Sequence, residues 1–490
     1  MIDALREERL KKLARVKDAG LLAYPADCKR THTLGEVRKD FAKLSKAKKR
    51  VFLAGRIWSI RDQGNIIFLD IRDESGSLQG VLTKKNVKDF PLWKNSLDRG
   101  DFIQISGILF KTKKGEESVE IKEVRLLSKA LLPIPSEWYG VEDDELRLRR
   151  RYLEILTDKT VSDMFRKKAA FWAAFRETFL NDGFLEVETP IFESIPGGAE
   201  AEPFKTHLNA LDIDLYLRIS LELPLKKLIV AGYEKVFEIG RIFRNEGMDK
   251  EHLQDYTQLE FYWAFHEYED LMKFIEKTYK FVIKKTTGGL KTVYEGKKID
   301  WGKKWKKVDY VESFKKAVKL DPLSASEEEL RKKAIELKLN PERHMGKGRL
   351  IDLIFKKTVR PTLFDPCFLV DPPVEIEPLA KRHRKDPRRV ERFQVLAAGT
   401  ELGKGFSELN DPLDQRARFE EQMGLREAGD AEAQMLDEEF ITALEYGMPP
   451  TAGFGISERL FAVLMDKPIR EILFFPLMRP KAHGSERKAL

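Results

Sequence analysis

The chain has 490 residues, too many for one hydrophobic core, so two or three domains are expected. Hydrophobic residues at 42% and charged residues at 35% exclude a disordered chain. No apolar run approaches the roughly 18 residues that would span a bilayer. The net charge of +8, with a pI near 9.0, leans toward a polyanionic partner. Two cysteines, Cys28 and Cys367, are too few for a zinc cluster or a disulfide framework.

Residues 1–50 combine helical periodicity with many lysines and arginines, including "KLSKAKKR". They read as a basic helical extension that either presents a solvated face or touches RNA phosphates. The start "MIDALREERLKKLARVKDAG" has no apolar h-region, so a reducing, cytoplasmic setting is expected. From Val51 the texture alternates apolar and polar residues, with breaks at Gly64 and "DESG". About five short strands fit into residues 51–130, the pattern of a small Greek-key barrel of the OB type. Residues 131–145, stiffened by Pro133 and Pro135, read as a linker.

A larger mixed domain is expected over 146–490, with a lysine-rich helical insertion on the surface at about 267–350. Its first helix should stop at Gly183, followed by a strand ending at Pro190. The stretch "FRNEGMDKEHLQDYTQLEFYW" predicts two strands around a charged loop. Alternation puts Tyr256, Gln258, Glu260 and Tyr262 on one face of the second strand, and Thr257, Leu259, Phe261 and Trp263 on the other. The second set is an ordinary core face; the first mixes carboxylate, amide and phenol. Glu222 precedes a helix-like stretch, and "GTELGKGFSELNDP" is a glycine-broken strand with Glu401 and Glu408. "PPTAGFGISERLF" reads as a glycine-rich turn into a helix with Arg459 in its first turn, where the dipole and the guanidinium both favour anions.

Taken in order, "FLEVETPIF", "FRNE…HLQDYTQLEFY" and "GFGISERL" resemble motifs 1, 2 and 3 of class II aminoacyl-tRNA synthetases. "PGGAEAEPFKTHLNALDIDLYLRISLEL" and "GKGFSELNDP" are similar to the lysine-specific branch, over nearly the full length of the chain. The resemblance implies an α+β fold, with an N-terminal OB-type β-barrel that reads the anticodon. A class II catalytic domain would follow, built on an antiparallel sheet with flanking helices. It also implies a homodimer through motif 1, and lysine, ATP, magnesium and tRNA(Lys) as what the protein works with. Arg244 and Arg459 would be the catalytic arginines on the phosphates. Glu246, His252, Tyr256 and Glu401 would complete the ATP site, with Glu401 also the magnesium ligand. Gly198, Glu222, Glu260, Tyr262, Phe406 and Glu408 would form the lysine pocket. Phe68, Gln79 and Glu116 would meet the anticodon.

Two positions depart from the family pattern. Gln394 stands where a magnesium-binding glutamate is usual, and Lys404 where an asparagine is usual. Regular alternation would put Glu401 on the face opposite Lys404, Phe406 and Glu408, unless a bulge at Gly403 or Gly405 realigns it. The alternatives are a paralogue that transfers lysine to a protein, which the barrel disfavours, and a non-catalytic RNA-binding paralogue, which Arg244, Glu246 and Arg459 disfavour.

Overall fold

A computed structural model describes residues 2–135, 144–247, 252–343, 345–430 and 432–480. The chain divides into two compact units, Met1–Asp158 with residues 477–480, and Lys159–Pro476. The division falls after Asp158, and much of the linker expected at 131–145 lies outside the described residues.

In the first unit α1 (Ile2–Asp18), α2 (Leu34–Lys39) and α3 (Phe41–Ala47) precede five strands. These are β1 (Val51–Asp62), β2 (Ile66–Asp73), β3 (Gly76–Thr83), β4 (Phe102–Lys111) and β5 (Glu117–Ser128), with α4 (Phe90–Ser96) inserted after β3. They close into a barrel in the order β1-β2-β3-β5-β4. Alternation decides what faces inward: Ile67, Leu69 and Ile71 of β2 are buried in the barrel, while Phe68, Asp70 and Arg72 point outward. The N-terminal helices are anchored on this core. Leu13 and Val16 of α1 and Val37 of α2 join the barrel's apolar cluster, and a capping box between Thr33 and Glu36 starts α2. Helices α5 (Asp144–Arg149) and α6 (Arg151–Thr157) complete this unit.

The second unit opens with α7 (Lys159–Asn181), stopped by Gly183 at φ +80°, a left-handed position that suits glycine. Strand β6 (Leu185–Glu186) follows. It is only two residues long and ends well before Pro190, because the Thr189 amide and hydroxyl turn to the Glu238 carboxylate instead of a ladder. A small sheet of β7 (Phe192–Glu193), β8 (Lys205–Leu208) and β9 (Ile213–Leu217) leads to α8 (Glu222–Val230). Next come β10 (Lys235–Phe243), β11 (Asp255–Ala264), α9 (Tyr268–Thr287) and the hairpin β12 (Lys291–Tyr294) and β13 (Lys297–Asp300). After β14 (Lys306–Asp309) come α10 (Tyr310–Val318), α11 (Glu327–Glu336), α12 (Lys347–Thr358) and β15 (Cys367–Val370). The chain ends with β16 (Arg392–Ala397), β17 (Thr400–Ser407), α13 (Pro412–Glu427), α14 (Glu438–Glu445), β18 (Thr451–Ser457) and α15 (Arg459–Met465).

Eight strands form the main sheet, in the order β14-β15-β16-β17-β18-β11-β10-β6. Its interior pairings are antiparallel and its two outermost pairings, β14 with β15 and β10 with β6, are parallel. One face is aromatic. Phe261, Phe237 and Phe454 pack with Phe179 of α7 and with Phe274 and Tyr279 of α9 through tilted, stacked and edge-on ring contacts. The stretch 267–350 is therefore not a surface insertion. Helix α9 is amphipathic and buries that aromatic side, and β14 supplies an edge strand of the main sheet. "TAGFGIS" is likewise the central strand β18 rather than a turn, because a strand crossed closely by its neighbours' side chains can use glycine at Gly453 and Gly455. The opposite face carries α8, α13 and α14 and the polar groups described next. No helix among the described residues is long and apolar enough to cross a membrane.

Candidate active site

Register lines up the polar face of the sheet in rows. Glu238, Glu260, Gly455, Lys404 and Gln394 succeed one another across β10, β11, β18, β17 and β16; Tyr262, Gly453, Phe406 and Arg392 make the next row. The two glycines form the floor. A Cβ at Gly453 would collide with Glu408 Oε1 and Tyr262 Cε1, and one at Gly455 would lie 3.4 Å from Glu260 Cγ.

Glu260, 3% exposed, is held by four donors. Its Oε1 accepts from Ser220 Oγ (2.7 Å), Gln258 Nε2 (2.5 Å) and the Leu221 amide (3.0 Å), and its Oε2 from the Tyr262 hydroxyl (3.0 Å). The Leu221 bond ties the strand to the entrance of α8. Glu222 occupies the first turn of α8, where the helix dipole favours a carboxylate. Gly198, at φ +83°, packs against that turn: a Cβ there would come within 2.8 Å of Glu222 Cβ. Phe406 and Glu408 reach the same pocket from β17 and the residue after it, at 4% and 1% exposure. The six residues expected to hold lysine are thus brought together in one buried cluster. Burial raises the Tyr262 phenol, with Glu222, Glu260 and Glu408 adding to the shift.

A residue not foreseen sits at the centre of the pocket. Lys226, 0% exposed, pairs with Glu222 Oε1 at 2.5 Å and with Glu408 Oε2. Its Nζ lies 5.5 Å from the Phe406 ring centroid, 5.8 Å from Phe440 and 6.0 Å from Tyr262. The helical i,i+4 spacing of Glu222 and Lys226 was the signal available in sequence. Beside the pocket, Arg218 donates to Glu238 Oε1 at 2.7 Å, which neutralises that carboxylate.

The residues expected at the ATP phosphates cluster around Tyr256. Arg244 Cζ stands 5.8 Å from its ring centroid, and the Arg244 Nε donates to the Ile219 carbonyl at 3.2 Å. Burial raises the Tyr256 phenol; Arg244 and Arg459 oppose the shift and Glu246 adds to it, so all three face the ring's environment. Arg459 leads α15 and donates to the Glu401 carbonyl at 3.4 Å. His252 is exposed and adjoins residues 248–251, which lie outside the described residues.

A bulge settles the side taken by Glu401. Val395 pairs with Gly403 and Leu396 with Glu401, so Leu402 is the extra residue. Glu401 is thereby turned to the Gln394 side of the strand, where its Oε2 accepts from Gln394 Nε2 at 2.7 Å. Lys404 pairs with Glu377 at 2.8 Å, and Arg392 stands 3.5 Å from the same carboxylate oxygen. No group of three potential ligands for a metal occurs among the described residues. One carboxylate with a neutral amide suits a magnesium ion that keeps most of its ligands as phosphate and water.

In the barrel, Phe68 and Gln79 share the outer face. Phe68 lies opposite Val81, Gln79 opposite Asp70, and Arg61 Cζ is 5.8 Å from the Phe68 centroid. Gln79 Oε1 accepts from Ser118 Oγ at 3.1 Å. Glu116 is exposed in the turn before β5, with its carbonyl accepting from the same Ser118 hydroxyl at 3.3 Å.

A family model described as tRNA synthetases class II (D, K and N) matches residues 143–479, and one described as an OB-fold nucleic acid binding domain matches residues 51–127. A lysine–tRNA ligase of Moorella thermoacetica is 45% identical over 479 residues, 96% of this chain and 97% of its own. That of Fervidobacterium nodosum is 41% identical over 490 residues, 98% of this chain and 95% of its own. That of Thermotoga maritima is 41% identical over 498 residues, 99% and 98% of the two chains. On these matches the chain belongs to the class II tRNA synthetases of the D, K and N group, and the three full-length relatives named are lysine–tRNA ligases.

Proposed function

We propose that the chain is a lysine–tRNA ligase, and that the pocket of Glu222, Glu260, Tyr262, Phe406 and Glu408 takes the lysine side chain. The observation that carries this reading is the concentration of buried carboxylates around a glycine floor. A buried ammonium must be paired and hydrogen-bonded, and the same carboxylates repel acidic amino acids.

The reaction needs no protein nucleophile. The lysine carboxylate attacks the α-phosphorus of ATP, the bond to pyrophosphate breaks, and lysyl-adenylate forms. A hydroxyl of the 3′-terminal ribose of tRNA(Lys) then takes the lysyl group and AMP leaves. Arg244 and Arg459 hold phosphate oxygens as the charge shifts, Tyr256 stacks on adenine, and Glu246 and His252 complete the nucleotide site. Glu401 would hold a magnesium ion, which when bound would supply charge neutralisation for the nucleotide. The outward face of the barrel, with Phe68, Gln79 and Glu116, takes the anticodon, as unpaired bases stack on aromatic rings.

We further place the protein in the cytoplasm as a homodimer. Both cysteines are free, in keeping with a reducing compartment, and Ile191 and Phe192 at the start of the small sheet are exposed apolar groups available to a twofold mate. Lysine-dependent ATP–pyrophosphate exchange tests the activity, and light scattering tests the dimer. Exchange without dependence on lysine, or a monomer at micromolar concentration, would overturn the corresponding part.

A further inference from the structure

Lys226 is a complete ion-pair partner already installed in a pocket built for an ammonium. Its Nζ is fully buried between Glu222 and Glu408 and ringed by Phe406, Phe440 and Tyr262. Around it stand Glu260 and Glu377 besides its two partners, and Glu377 is in turn paired with Lys404 and Arg392. We propose that Lys226 is a positioning residue of the amino-acid pocket: it aims Glu222 and Glu408 and opposes their protonation, leaving them to receive an incoming cationic side chain. This rests on the lysine reading of the pocket given above.

The physical reason is the cost of two buried carboxylates side by side. Without a cation they repel, and one takes up a proton. Burial pushes Glu222 up to about 7 against the pull of Lys226, with Glu260 and Glu377 raising it further. Burial also pushes Glu408 well up, again opposed by Lys226. Burial lowers the Lys226 ammonium, but Glu222 and Glu408 outweigh it and leave it above the ordinary lysine range. The other titratable groups facing the trio are Tyr262 and Glu260 on β11, Glu377 and Lys404, and α14 contributes the Phe440 ring. A carboxyl that must be ionised to bind lysine loses affinity as pH falls through its pKa. Removing Lys226 raises that pKa and moves the loss to higher pH.

The test is lysine-dependent ATP–pyrophosphate exchange by the full chain between pH 6 and 9.5, with Lys226→Met and Lys226→Arg. In the parent the KM for lysine should be flat at high pH and rise below a break where the Glu222–Glu408 pair takes up a proton. In Lys226→Met the break should move up by about one pH unit or more, so that KM at pH 7 rises about tenfold while kcat changes little. Lys226→Arg, which keeps the cation, should keep the parent's break. The same break in parent and Lys226→Met would overturn the proposal. If Lys226→Met does not fold, a break displaced in Lys226→Arg overturns it equally. A parent that shows no lysine dependence at all instead removes the ligase reading itself.

Discussion

Gly453 and Glu260 show how little freedom single positions have in the pocket. Any side chain at Gly453 enters the space between Glu408 and Tyr262. Gly453→Ala is thus expected to raise the KM for lysine about fivefold to a hundredfold, since overpacking costs roughly 1–3 kcal/mol, and to leave ATP binding intact. Exchange assays at varied lysine, beside binding of a non-hydrolysable ATP analogue, separate the two. Glu260 is a different case, because its carboxylate already accepts from four protein donors, three of them on Oε1. Glu260→Gln turns one acceptor oxygen into an amide that faces donors, so it should disorder Tyr262 and the start of α8. Losing a charge-assisted partner costs roughly 1.5–3 kcal/mol, about tenfold to a hundredfold in lysine requirement. A variant that activates lysine like the parent would remove Glu260 from the pocket.

Elements explain both what the sequence revealed and what it concealed. The alternation of β11 was legible residue by residue: Leu259 and Phe261 are in the core, and Glu260 and Tyr262 line the pocket. The bulge was legible only as a choice, since glycine neighbours permit it but the extra residue, Leu402, carries no mark of it. The i,i+4 spacing to Glu222 marked Lys226 only weakly, because its second partner Glu408 lies on another element and lysine on a helix ordinarily means solvent. Glu377, which pairs with Lys404, was hidden for the same reason. Gly453 and Gly455 read as a turn because glycine is normally a breaker; only the crossing side chains of β11 and β17 make them strand residues. Strand β7 offers a test of this scale. Burial raises Glu193 to about 8, and its Oε2 is buried without a hydrogen-bond partner. A raised carboxyl stabilises the fold fully below the ordinary glutamate range, and that contribution is lost as pH rises through about 8. Glu193→Gln should therefore melt like the parent at pH 5 and above it, by a few degrees, at pH 8.5. A Tm difference that does not change with pH would place Glu193 in solvent or in a charge pair.

At the scale of the molecule, the proposed function divides the work between two compact units, chemistry in one and recognition in the other. The second unit carries the pocket, Arg244 and Arg459; the first carries the barrel and the basic N-terminal helices. Phe68 is the sharpest probe of that division, because its ring lies on the outer face of β2, away from the barrel core of Ile67, Leu69 and Ile71. Replacing it with alanine removes a stacking platform without opening a cavity in the core. Base–aromatic stacking contributes roughly 1–3 kcal/mol per base, so Phe68→Ala should raise the KM for tRNA by about fivefold to a hundredfold. Lysine-dependent pyrophosphate exchange, which involves no tRNA, should be unchanged. The loss should persist at every salt concentration, since stacking is not ionic, whereas binding as a whole weakens steeply with salt through released counterions. Equal charging by Phe68→Ala and the parent would remove the outer face of β2 from tRNA recognition. A matching fall in pyrophosphate exchange would mean that the two units do not divide the work in this way.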